Sequence, residues 1–128
     1  MIKSVINDLM ESLDLPYQYW EYEDLGEGIP SSYFVGERMP DSVGDESGGE
    51  GGGEGGMFVL SGWSRGGLVP LVSAESAIKA VLDAPGGDVR FAGEGGACVV
   101  WYLQSQDIPS DVEGMCRMEV TLGYREWS

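Results

Sequence analysis

Residues 116–125 read Cys-Arg-Met-Glu-Val-Thr-Leu-Gly-Tyr-Arg. Cys116, Met118, Val120, Leu122 and Tyr124 share one parity, while Arg117, Glu119, Thr121 and Arg125 share the other. Strand side chains alternate between faces, so this segment predicts a strand with one face on a core and the other towards water or a partner. Extended from Met115 to Trp127 it spans roughly 40 Å, slightly more than the ~36 Å width of a compact domain of this length. Such a strand needs neighbours in a sheet and helices against its apolar side.

Upstream segments supply both. Ile2, Val5, Ile6, Leu9, Met10 and Leu13 fall at the spacing of one apolar helical stripe, with Asn7, Asp8, Glu11 and Ser12 opposite, and Pro16 ends that helix. Tyr17 to Asp24 is rich in aromatic residues and predicts a strand, broken by Gly26, Gly28 and Pro30. Ser31 to Glu37 and Met57 to Trp63 predict two more, pairing as a hairpin with an enlarged loop. Ser73 is placed to cap a second helix running to about Asp83, burying Ala74, Ala77, Ile78, Val81 and Leu82. Asp88 to Ala92 predicts a short edge strand, and Ala97 to Gln104 a central strand that is apolar on both faces. The expected fold is a single α+β domain over residues 1–128, with two helices packed on one face of a mostly antiparallel sheet of four to six strands.

The hairpin loop is the unusual part. Of the 13 residues from Gly44 to Gly56, eight are glycine, four are acidic and none is apolar. Such a segment buries too little to offset its ordering entropy and is expected to be flexible in the free subunit. A loop this long inside a small domain tends to be functional.

The chain has 22 acidic and 7 basic side chains, a formal charge of −15, with most of the excess before residue 57. That excess repels nucleic acid phosphates and anionic membranes. No apolar run is long enough to span a bilayer, and the N-terminus lacks the pattern of a signal peptide. Cys98 and Cys116 are expected to be two thiols of a cytosolic protein.

Catalytic chemistry is poorly provided for. There is no histidine, the commonest general base and zinc ligand. Two distant cysteines make no zinc motif, and no glycine run ends in Gly-Lys-Ser or Gly-Lys-Thr, as a P-loop requires. Gly51 to Gly56 precedes a strand instead of a helix, and Glu50 and Glu54 would repel a pyrophosphate. Asp45, Glu46, Glu50 and Glu54 do not follow the spacing of an EF-hand, and read as a solvated loop. No enzyme activity, cofactor or metal is expected. Trp20, Trp63, Trp101 and Trp127 suit a core or an interface better than a ligand pocket.

Taken in order, the pieces resemble the small tail-completion proteins of long-tailed bacteriophages and prophages, including the tail terminators. The resemblance rests on the N-terminal amphipathic helix, the strand Tyr17-Gln-Tyr-Trp-Glu-Tyr, Ser32-Tyr-Phe-Val-Gly-Glu37, and the acidic glycine tract. It continues through Phe58-Val-Leu-Ser-Gly-Trp-Ser-Arg65, the helix around 74–82 and the final strand ending Gly123-Tyr-Arg-Glu-Trp127. It implies a structural virion protein that assembles as a ring, typically a hexamer, at the head-proximal end of the tail tube. Such a ring stops tube polymerisation and joins the tail to the head connector or stopper. It would reside in the virion tail, and in the host cytoplasm during assembly. The implied partners are further copies of itself, the tail-tube protein and the connector.

DNA passes through the lumen of such a ring without specific binding, and acidic walls repel it. Arg117, Glu119, Arg125, Tyr19 and Trp127 are then the candidates for the subunit or tube interface, and Asp45, Glu46, Glu50 and Glu54 for a lumen or assembly loop. Six copies carry a formal −90 (six times −15), so their contacts must be apolar or locally compensated. The alternatives are an acidic DNA-mimic inhibitor of a host nuclease or restriction enzyme, and a sister role as head–tail stopper or tail-tube subunit.

Overall fold

A computed structural model of the chain describes residues 1–24, 26, 28–40, 54–83, 88–93 and 96–127. Helix α1 (Ile2–Ser12) leads into strand β1 (Tyr17–Tyr19), and β2 (Ser32–Pro40) and β3 (Glu54–Ser64) follow. Helix α2 (Val69–Leu82) precedes β4 (Asp88–Gly93), β5 (Gly96–Ile108) and β6 (Cys116–Trp127). The strands form one sheet in the order β1-β2-β3-β6-β5-β4. All pairs are antiparallel except β1 with β2. The result is the expected α+β fold.

The long alternating strand β6 sits inside the sheet, flanked by β3 and β5 over almost its whole length. Its even-numbered residues face inwards with Phe58 and Leu60 of β3, Phe34 of β2, and Cys98 and Val100 of β5. Onto this face α1 sets Ile2, Val5, Ile6, Leu9 and Met10, and α2 sets Leu71, Ala74, Ile78 and Leu82, making one continuous core. Both helices therefore cover the same face. Gly62 makes room for α2: a Cβ there would lie 2.6 Å from Phe34 Cε2 and 3.0 Å from Leu71 Cδ2.

Two polar ties fix the helices. The Ile2 N–H donates to Glu126 Oε2 at 2.8 Å, and the Met1 ammonium is 3.7 Å from the same oxygen. A carboxylate from β6 thus serves the N-terminus of α1, which has no side-chain cap of its own. On α2, Glu75 Oε2 accepts from Tyr102 Oη at 2.8 Å and from Ser105 Oγ at 3.1 Å, both on β5.

Several boundaries differ from the sequence reading. The aromatic strand stops at Tyr19 because Trp20 turns the chain with φ +76°. Asp24 Oδ1 then accepts from the N–H groups of Gly26 and Gly28, each at 2.8 Å. β3 starts at Glu54, three residues early, because Glu54, Gly55 and Gly56 extend the ladder with β6. α2 starts at Val69, with Pro70 in its first turn, where a missing N–H loses no bond, so Ser73 is inside the helix. Leu71, outside the expected buried stripe, is fully buried, whereas Ala77 and Val81 are half-buried. β5 runs four residues beyond Gln104. Neither cysteine is in a disulfide; Cys98 is buried and Cys116 half-buried. They lie at opposite ends of the ladder, opposite Glu126 and Ser64, far beyond bridging distance.

Candidate interaction face

The odd-numbered residues of β2, β3 and β6, with Ala97, Val99 and Trp101 and, past the irregularity at Leu103, Gln104, Gln106 and Ile108 of β5, make a second sheet face, which neither helix covers. Its rungs follow from the register. Tyr33, Trp63, Arg117 and Ile108 lie side by side across β2, β3, β6 and β5, followed by Val35, Ser61, Glu119 and Gln106. Next come Glu37, Val59, Thr121 and Gln104, then Met39, Met57, Gly123 and Trp101.

One end is apolar. Met39, Met57 and Trp101 are 42%, 41% and 39% exposed, and Leu103 beside them is 46% exposed. These are large side chains left in water on adjoining strands. Gly123 makes room for the indole of Trp101 over β6: a Cβ at that position would overlap the Trp101 ring. A one-residue irregularity between Tyr102 and Gln104 leaves Leu103 without a partner on β6 and switches the outer face of β5 to even-numbered residues beyond it.

The other end is aromatic and charged. The Arg117 guanidinium lies 4.8 Å from the centre of the Trp63 ring, and its Nη2 is 3.5 Å from Glu119 Oε2. The Arg117 Nε is buried and has no hydrogen-bond partner among the described residues. Beyond this rung an open groove of about 640 Å³ is lined by Tyr33, Trp63, Arg65, Val112, Glu113, Gly114 and Met115. Tyr22 packs on Tyr33 from outside, with ring centres 4.8 Å apart.

Over β2, β3, β5 and β6 this face carries Glu37 and Glu119 against Arg117 and Arg125, so it is formally neutral. On a chain of formal charge −15, that neutrality sets it apart from the rest of the surface.

Arg117, Glu119 and Arg125 all occupy this face, and Trp127 continues it opposite Ala97. Arg117 already has an intramolecular carboxylate. Tyr19 sits elsewhere: it packs on the inner side against Phe58, ring centres 6.0 Å apart, beneath the Lys3 ammonium at 4.6 Å. Glu54 is the first residue of β3, opposite Glu126, and so belongs to the sheet instead of the loop. Asp45, Glu46 and Glu50, with the rest of 44–53, lie outside the described residues. Sequence reasoning missed Met39, Met57 and Leu103, and gave Trp101 only as a residue of a core or an interface. Met57 shares its parity with Val59 and Trp63, a period-2 signal that was there to use, but the neighbourhood of Trp101 depends on register.

Among the described residues no helix is long and apolar enough to cross a membrane. No protein-family model matches the chain, and no curated protein matches it significantly.

Proposed function

We propose that this protein is a structural joining subunit: a tail-completion protein of a long-tailed phage, acting as the tail terminator. In this reading copies assemble into a ring, a hexamer by resemblance, at the head-proximal end of the tail tube, where the ring stops polymerisation and meets the head connector.

The observation that carries the reading is the neutral, uncovered sheet face. Like-charged copies approach each other at least electrostatic cost where their surfaces carry no net charge. The exposed Met39, Met57 and Trp101 supply apolar area whose burial would stabilise the contact by ~25 cal/mol per Å² before the costs of association. All four tryptophans keep some exposure, Trp20 most at 65%, and aromatic side chains are enriched in interfaces. The acidic excess is left for surfaces that DNA passes. A DNA mimic, by contrast, needs carboxylates in a regular array, and the outer face of β2, β3, β5 and β6 carries only Glu37 and Glu119.

Negative-stain microscopy and light scattering of the purified chain, alone and with short tail tubes, test the proposal. Rings on tube ends are expected, and Trp101→Lys or Met57→Lys should abolish them while leaving the subunit folded. A chain that stays monomeric even with tubes present, or that binds a basic nuclease tightly at moderate salt, overturns it.

A further inference from the structure

Trp20 keeps 65% of its surface in water, the most of the four tryptophans. It also stands on unfavourable backbone. Its φ is +76°, a region that bulky side chains avoid, and strain of this kind gathers at functional positions. The turn is nevertheless well fixed. The Trp20 N–H donates to the Gly36 carbonyl at 2.7 Å, and the Glu21 N–H to the Tyr19 carbonyl at 2.9 Å. The Gln18 amide closes the turn in both directions: Nε2 donates to the Glu23 carbonyl and Oε1 accepts from the Glu23 N–H, each at 3.0 Å. Tyr22, between them, is packed on Tyr33. A large apolar side chain is thus held out in water by backbone that has little freedom left to lose on binding.

The same chain carries a recess that suits such a knob. The groove beyond the Arg117 rung, about 640 Å³, is walled by Tyr33, Trp63, Val112 and Met115. Its volume is that of a pocket for a small ligand, roughly 300–1,000 Å³, and Val112 is 54% exposed. Trp20 does not line the groove of its own subunit. Arg65 lines it, and forms no ion pair with a described residue. Glu113 lines it too, so the groove is formally neutral on a chain of charge −15. Glu21 and Glu23, both exposed, follow Trp20 on the fixed turn. Lys3 lies over the ring of Tyr19, on the inner side.

We propose that Trp20 of one copy enters the Tyr33–Trp63–Met115 groove of a second copy, with Glu21 and Glu23 set against Arg65. The occupant is a second copy because knob and socket match within this one chain: an apolar ring for aromatic and aliphatic walls, and two carboxylates for a guanidinium without a described partner. Tryptophan seated in a water-excluding pocket is a common hot spot, and an arginine beside it can serve both the carboxylates and the ring face. Knob and socket are different patches, so a joined pair still offers one of each, and repetition closes a ring where the rotation allows. The contact names the joint of the proposed ring and rests on that reading.

Sedimentation velocity over a range of protein concentrations tests it, with thermal melts on every variant. Trp20→Gly removes the knob and suits φ +76°, so self-association should weaken about 30-fold or more, while the melting temperature stays unchanged or rises. Arg65→Glu should weaken association about tenfold, and adding Glu21→Lys and Glu23→Lys to the same chain should restore it. Mixing the Trp20→Gly chain, which has an intact socket, with the Arg65→Glu chain, which has an intact knob, should give one-to-one pairs that neither forms alone. Rings that persist in Trp20→Gly but are lost in Trp101→Lys would keep the ring and overturn this contact. Failure of the charge reversal to restore association, or of the mixture to pair, would overturn it too. A parent chain that never self-associates overturns the ring and the contact together.

Discussion

The two faces of this sheet are built from alternate residues of the same strands, yet they do different work. On the inner face Phe58, Leu60, Val120 and Leu122 are fully buried under two helices. On the outer face Met57, next to Phe58 in sequence, keeps 41% of its surface in water. The difference teaches that strand hydrophobicity has two uses here. Where helices cover it, it folds the subunit; where no described residue covers it, it is available to a partner.

The sharpest test is a matched pair on β3. Phe58→Ala is expected to lower unfolding free energy by about 3–5 kcal/mol, through lost burial and a cavity, whereas Met57→Ala should cost under ~1 kcal/mol. Urea denaturation of the two variants measures both, and similar costs would mean that the faces are equivalent. The glycines offer a second contrast. Gly62→Val drives a side chain into Phe34 and Leu71 and should cost about 1–3 kcal/mol. Gly123→Ala, on the outer face, displaces a partly exposed indole, and should harm ring formation more than thermal stability.

A smaller effect separates the faces by pH. The Tyr17 hydroxyl is buried with no partner among the described residues, and its pKa is raised well above the usual tyrosine range, first by burial and then by the neighbouring Tyr19. The unfolded chain, with a pKa of about 10, then releases this proton before the folded one does. Stability from Tyr17 is present in full below pH ~10 and is lost as pH rises above it. Tyr17→Phe should blunt that alkaline loss and leave neutral-pH stability unchanged or raised by up to ~1 kcal/mol. Thermal melts of both proteins between pH 8 and about 11 decide the matter. The smallest expected change in stability is that of Trp101→Lys, within about 0.5 kcal/mol of the parent, although the same variant should abolish assembly.

Much of the inner face was legible in the sequence. The stripe Ile2, Val5, Ile6, Leu9 and Met10 and the alternation from Cys116 to Tyr124 each identify their buried side without reference to any other segment. The hairpin of β2 and β3 was legible too, from two apolar runs around a glycine tract. The outer face was half legible. Arg117, Glu119 and Arg125 were assigned to it by parity alone, whereas Tyr19 was misplaced because the turn at Trp20 and the parallel pairing to β2 aim it inwards. Trp101 over Gly123 could not be anticipated, because 22 positions separate two residues that meet only once β5 and β6 are in register.

Ala97–Gln104 shows the boundary most plainly. Its apolar composition suggests a central strand, and its first residues are central, between β4 and β6; past Val100 no described strand pairs with its other side. By itself the sequence determined where helices and strands lie and which side of each is apolar, since periodicity is a property of neighbouring residues. Only the tertiary structure decided strand order, register and which apolar face the helices cover. Those depend on contacts between distant segments, which no local pattern encodes.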